Sequence, residues 1–368
     1  MDRRDAIAWV LSVCVGCLRR SQAKTLSVLV AAAMRCPRMS LANLGRQMRG
    51  SAWAKHRIKR AWRFIANDRI EPTLAMRGVI HRLVRNRRKP LLVSFDWTDI
   101  RGLQTLMASA VVQGRSIPLC WASCHKHTWQ GHRSRNGFEQ SLLLTLRAMI
   151  PPQLPVILLA DRGFGRTELG RFCQRYHFSY IFRIQPKVWI HVGQVRCRLD
   201  QYPIHKGMCQ MLKAVLYRQH DPIQQNVVVR WKRHLPKHRD ECWYLMTDLN
   251  LPARRVSDLY ARRMSIEQLF RDGKNKRNGW SLRDTGLRQP DRLDRLILIL
   301  ALAYLLLVGL GLIGQRRYRP GHWSSNNRPD AFSLFQIGLY LLDQLRLKPA
   351  DAFNALVHAT ESEFPKWG

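Results

Sequence analysis

Nineteen consecutive residues, Leu296 to Gly314, carry no charge. A helix of this length either crosses a bilayer or has to be covered by protein on every side. Arg292 and Arg295 precede it, Arg316 and Arg317 follow it, and no second segment of this kind occurs. Hydropathy alone does not separate the two outcomes, so the rest of the chain decides.

The rest is strongly basic. Lys and Arg number 62 against 25 Asp and Glu, a net charge of +37 over 368 residues. Residues 1–90 hold 21 basic and 4 acidic groups, whereas 330–368 hold 3 and 5. A polyanion should therefore lie across the first two-thirds and miss the tail. This balance excludes most small-metabolite enzymes and points to nucleic acid. The apolar segment is then expected to be a buried central helix, with no membrane partner. Hydrophobic residues make up 46%, enough for a core around it in a chain of two or three units.

Nine cysteines, an odd number without repeated spacing, argue against a secreted disulfide framework. Cys14 and Cys17 form a CxxC, but Leu11, Cys14 and Leu18 share a helical face, which favours core cysteines. Cys120, Cys124, His125, His127 and His132 cluster in sequence without a recognised zinc spacing.

Along the chain, residues 1–88 have helical periodicity. Ser40 can cap a short helix, and Ser51 the next one, which sets an apolar face of Ala54, Ile58, Ala61, Trp62 and Ile65 against basic Lys55, Lys59, Arg60 and Arg63. Two short capped helices, the second basic, suggest a helix-turn-helix-like DNA reader. Strands follow at 91–96, 107–113 and 117–120, a helix at 140–149, a strand at 156–160, a helix at 167–176 and a strand at 180–184. This order implies a mixed sheet flanked by helices. Residues 187–247 alternate with period two and read as a strand-rich insertion. One long helix is expected from about Val256 to Gly273.

Asp96 and Asp161 each end an apolar strand. Carboxylates held by strand ends suit Mg2+, which takes few carboxylates and completes its shell with water and phosphate. Asp99, three residues on, should face away, and Asp272 is expected to be equally dispensable. On one continuous helix Tyr260, Arg263, Glu267 and Lys274 would fall within roughly a 60° arc. That face would put a carboxylate among a phenol, a guanidinium and an ammonium, able to hold metal and phosphate together. Arg263 and Glu267 would equally pair at i, i+4 on an ordinary helix surface.

The strings SFDWTDI (94–100), LADRGFGR (159–166), WYLMTDLNLP (243–252) and YARRMSIEQLFRDGKN (260–275) resemble the DDE transposases with an RNase H-like fold. The pattern Y-x2-R-x3-E-x6-K resembles the signature of insertion-sequence family four, which includes the transposases of the tetracycline and kanamycin composite transposons. The resemblance covers roughly residues 40–315.

It implies an α/β fold: an RNase H-like core with a β-strand-rich insertion, a helical N-terminal DNA-binding domain and a helical C-terminal region. The corresponding ranges are 1–88, 89–186, 187–247, 248–325 and 326–368. It also implies that Asp96, Asp161 and Glu267 bind two Mg2+ ions, with Mn2+ as a substitute, and catalyse phosphoryl transfer. Tyr260, Arg263 and Lys274 would grip phosphates, with Arg162 as a further basic contact. Trp243 would support an extruded base, or else fill the core at a strand end. The partners implied are double-stranded DNA, as inverted-repeat ends and target, and a second copy of the chain, with 330–368 the favoured dimer contact. No nucleotide cofactor is implied, and the location would be the bacterial cytoplasm at the nucleoid. A DNA-binding regulator that no longer cuts is the alternative.

Overall fold

The computed structural model describes residues 3–14, 18–36, 38–128, 134–232, 241–277, 279–325, 328, 331–344 and 347–364. Cys17 and His132 lie outside the described residues.

The chain opens with helices α1 (Arg3–Val13), α2 (Arg20–Ala33), α3 (Leu41–Gln47), α4 (Ala54–Ala66) and α5 (Pro72–Val84). The Ser40 side chain caps α3 by accepting the Asn43 N–H at 3.1 Å. Ser51 is not a cap: α4 starts three residues later, after Trp53, without a side-chain cap. A Cβ on Gly45 would fall 2.5 Å from the Ile58 Cα, so glycine is what lets α3 and α4 cross this closely.

Strands β1 (Leu91–Ile100), β2 (Leu103–Val112) and β3 (Arg115–His125) form a meander. Helix α6 (Arg135–Met149), β4 (Val156–Ala160), α7 (Thr167–Arg175) and β5 (Phe178–Arg183) follow. Then come β6 (Trp189–Val192), β7 (Val195–Arg198), β8 (Cys209–Tyr217), β9 (Ile223–Lys232) and β10 (Glu241–Thr247). All ten strands join one mixed sheet of order β3-β2-β1-β4-β5-β10-β9-β8-β6-β7. Strands β1, β4 and β5 are parallel, and β10 adds antiparallel to β5, so the strand-rich segment extends the first sheet rather than forming its own. This mixed α/β arrangement is consistent with an RNase H-like core.

Helices α8 (Ala253–Ala261), α9 (Met264–Lys274), α10 (Pro290–Arg317), α11 (Leu334–Leu341) and α12 (Pro349–Ser362) complete the chain. Every residue from Leu296 to Gly314 is buried, and α10 packs against α2, α4, α5, β3, α11 and α12. Backbone contact is direct at two glycines: a Cβ on Gly311 would lie 1.9 Å from the Leu334 carbonyl oxygen, and one on Gly338 1.9 Å from that of Leu307. Buried Arg295 donates to the carbonyls of Ile65 at 2.9 Å and Ile70 at 3.1 Å, fastening α10 to the exit of α4. Most apolar residues of α11 and α12 are buried inside the chain, many against α10, while Tyr340 stays exposed.

Two clusters flank the sheet. Leu91, Val93 and Phe95 of β1 and Val156, Leu158 and Ala160 of β4 join the main core. Leu92, Ile157 and Leu159 join a second cluster, closed by Val256 and Leu259 of α8 and by Phe364.

Candidate active site

Phe95 pairs with Ala160 in the parallel register of β1 and β4. The next residue on each chain is Asp96 and Asp161, so the two carboxylates stand at the same level. Alternation sets their face: Asp96 follows Leu92 and Asp161 follows Ile157 and Leu159, on the α8 side. Strand β1 does not end at Asp96 but runs on to Ile100, paired with β2. β4 has stopped at Ala160, so beyond Phe95 the strand loses its parallel neighbour and its edge opens at Asp96. Asp161 caps a short 3-10 turn, its Oδ1 accepting the Gly163 N–H at 2.8 Å. Asp99 is exposed and accepts the Gly102 N–H at 3.3 Å.

The single helix expected at 256–273 is instead two, α8 and α9, with Arg262 and Arg263 between them. The amides of Arg262, Arg263, Ser265 and Ile266 reach back three residues instead of four, which overwinds the chain there. The arc calculated for one continuous helix therefore does not hold. The contacts form another way. Buried Arg263 donates to Glu267 Oε1 at 2.5 Å and to Asp96 Oδ2 at 3.4 Å, bridging helix and strand. The i, i+4 pair forms, with Arg263 buried and the Glu267 carboxylate half-exposed.

Burial raises the Asp96 carboxyl to about 6, with the nearby negative charges of Asp161 and Glu267 adding to it and Arg263 opposing. Burial also raises the Tyr260 phenol. For Arg263 burial works against the charge, but Tyr260, Glu267 and Asp96 outweigh it and the guanidinium holds its proton more firmly than usual. Lys274 ends α9, its Nζ 5.6 Å from the Phe270 ring centre. Burial and Arg283 lower its pKa, while Asp99 and Asp96 pull the other way.

Trp243 is 9% exposed and packs edge-on against Tyr260 at 5.1 Å. The Arg183 guanidinium lies 6.0 Å from its ring centre. Arg183 and Arg162 both pair with Glu241, Arg162 at 3.1 Å. Arg183 was not evident in the sequence: it closes an ordinary strand, and only the pairing of β5 with β10 brings it beside Trp243.

Asp272 has partners of its own away from the other carboxylates. It is buried behind α9, 2.9 Å from Arg115 Nε and accepting the Tyr304 hydroxyl at 2.8 Å. Burial raises its pKa, with Arg115 and Tyr304 opposing.

The N-terminal basic residues lie far from these carboxylates in sequence and on another element. Lys55, Lys59 and Arg63 are exposed on α4. Arg60 is turned to α2, donating to Thr25 Oγ1 at 2.9 Å. Trp62, expected on the apolar face, is 42% exposed. The spacing i, i+4, i+7 of Lys55, Lys59 and Trp62 puts the indole on the basic face.

Asp96, Asp161 and Glu267 offer hard oxygen donors, and the upward shift of Asp96 is a charge problem that a divalent cation would relieve. Among the described residues, no three His, Cys, Asp or Glu side chains converge closely enough to hold an ion. Arg263 stands between Asp96 and Glu267 instead. The donor chemistry fits Mg2+, which needs only one or two protein carboxylates with water and phosphate.

Two aspartates thus end up level on adjacent parallel strands, and a helical glutamate is linked to one of them through Arg263. The family model described as a transposase DDE domain matches residues 87–306, more than half of the chain. The chain belongs to this transposase family. No curated protein matches it. DDE transposases generally use divalent metal ions.

Proposed function

We propose that the protein is the transposase of a bacterial insertion sequence of family four. It would bind terminal inverted repeats as a homodimer, cut them and join them to target DNA. The observation that carries this reading is the parallel register that sets Asp96 beside Asp161, with Glu267 linked to Asp96 through Arg263. The presence of all three carboxylates weighs against the silent-regulator alternative.

Asp96, Asp161 and Glu267 would hold two Mg2+ ions, with Mn2+ able to replace them. Bound there, the ions would lower the pKa of the attacking hydroxyl or water and stabilise the leaving oxygen. The chain's own part is orientation. Arg263 and Lys274 supply the positive charge for a phosphate drawn in beside the carboxylates, and Tyr260 stiffens the Arg263 end of that grip. Nicking, hairpin formation, hairpin opening and strand transfer are all phosphoryl transfers, so one site can serve each step. Lys55, Lys59 and Arg63, with Trp62 among them, would track the duplex outside the cleavage point, and Arg162 would add a backbone contact nearer to it. The charge complementarity supports duplex DNA in the bacterial cytoplasm, at the nucleoid.

The test is a nicking assay on a duplex that carries the element's own end. Wild type should nick it in Mg2+. Glu267→Gln should bind it equally well, with cleavage reduced at least about a thousandfold, equivalent to roughly 4 kcal/mol. Near-normal nicking by Glu267→Gln would reject the site. For Trp243, a base platform and a packing role give different step profiles. A platform variant Trp243→Ala nicks the first strand and stalls before the hairpin. A core variant loses stability and every step together.

A further inference from the structure

One carboxylate outside the proposed triad is better enclosed than any member of it. Glu139, on the inner face of α6, is 0% exposed. Its Oε1 accepts the Trp97 indole N–H at 2.8 Å and the Arg135 Nε–H at 3.1 Å, and its Oε2 pairs with Arg166. A charge this deep costs several kcal/mol unless fully partnered. The identity of the partners is informative.

Trp97 is the residue after Asp96. Its side chain points to the face opposite Asp96, because successive strand residues alternate. Its backbone N–H donates to Asp96 Oδ1 at 2.8 Å. Arg166 closes the loop after Asp161. It donates to the Gly163 carbonyl at 2.7 Å, and the Gly163 N–H is the donor to Asp161 Oδ1 at 2.8 Å. Two short chains of contacts thus run from one buried carboxylate, through the sheet and round its edge, to the two aspartates in front. Phe138, stacked on Trp97 at 5.6 Å, and Arg135, 5.0 Å from the same ring centre, stop the indole from turning.

We propose that Glu139 is a positioning residue that fixes Asp96 and Asp161 relative to each other from behind the sheet. This rests on reading those two aspartates as the metal-holding pair. Groups that orient metal ligands typically change metal affinity 10- to 100-fold when altered. An ordinary buried ion pair would affect stability alone.

Glu139→Gln keeps the shape and an acceptor for Trp97 but removes the charge that Arg166 needs. Mn2+ binding is followed by loss of the free-ion electron paramagnetic resonance signal, alongside thermal unfolding and end binding. The expected result is a folded variant that binds the DNA end normally and has at least tenfold weaker Mn2+ affinity. Glu139→Asp should recover part of the loss. Asp161→Asn is the reference. If Asp161→Asn binds Mn2+ as wild type does, the metal reading falls and the proposal with it. If Asp161→Asn loses Mn2+ while folded Glu139→Gln keeps it, only the positioning role falls. Should Glu139→Gln fail to fold, Trp97→Phe and Arg166→Lys each cut one arm and leave Glu139 in place. Weakened Mn2+ affinity in either supports the proposal, and wild-type affinity in both overturns it.

Discussion

Strands β1 and β4 are buried residue after residue up to Phe95 and Ala160, whereas β6 and β7, at the far edge of the same sheet, alternate or lie open. The inner pair carries LLVSF and VILLA, apolar on both faces, because helices and the second cluster cover both sides. The outer strands bury Ile190 and Val215 but expose Trp189, His191, Ala214 and Leu216 beside them, and so keep only one side dry. The difference separates two tasks within one hydrogen-bonded surface. Strands covered on both faces cannot shift register without exposing their apolar set, so they hold Asp96 and Asp161 to a fixed level. Strands covered on one face tolerate charge and change. They also reach back: the Tyr217 hydroxyl of β8 donates at 2.8 Å to the Gly165 carbonyl, in the loop after Asp161.

A charge introduced on each side sharpens this contrast most. Leu300→Asp places a carboxylate in the middle of α10 and should give insoluble or unfolded protein, a cost above about 5 kcal/mol. Val195→Asp, at a position 50% exposed on β7, should stay within about 0.5 kcal/mol of wild type. Thermal unfolding of both decides it; comparable losses would break the comparison.

Asp272→Asn tests the support behind α9. The change leaves half-buried Arg115 without its anionic partner and should cost about 3 kcal/mol, seen as a lowered urea midpoint. A neutral result would mean that Asp272 does not support α9.

Asp294 supplies a pH test. Burial raises its carboxyl to about 6, against bonds from the Ser123 amide and hydroxyl that oppose the shift. The unfolded chain releases that proton near 3.9. Its contribution is thus fully present below about pH 4 and is lost as pH rises through 6. The difference between wild type and Asp294→Asn in urea unfolding should change by about 2–3 kcal/mol over that window and be flat above it. A difference that is flat throughout would contradict the shift.

Tyr217→Phe should have the smallest effect, about 1 kcal/mol or less in stability. It should slow nicking more than Val195→Asp does, because it frees the loop after Asp161. Equal nicking rates would mean that the outer strands do not brace the site.

Much of the core was legible because it follows from burial pattern. LLVSF and VILLA read as interior strands, the basic balance of the rest of the chain reads 296–314 as interior too, and the two aspartates follow the two strand runs. The parts that escaped depend on contacts distant in sequence. Overwinding at Arg262–Arg263 leaves no trace in a helical pattern, since the residues keep helical preferences. Asp272 looks like any polar helix residue until Arg115 and Tyr304 arrive from other elements. Glu139 sits in NGFEQ with nothing to mark it as buried. Trp62 reads as inward on hydrophobicity alone, and only the packing of α4 on α3 and α10 shows which stripe faces in.

Helix α10 has a consequence in time as well as in space. It is the surface on which α2, α4 and α5 close, yet it lies more than two hundred residues after them. At roughly 5–20 residues per second, translation leaves the first helices without that partner for roughly 10 to 50 seconds. During that interval their apolar faces remain open to chaperones. A chain that stops short of residue 317 never gains the helix that fastens the exit of α4. Messages cut or stalled early would therefore yield products whose first helices stay open.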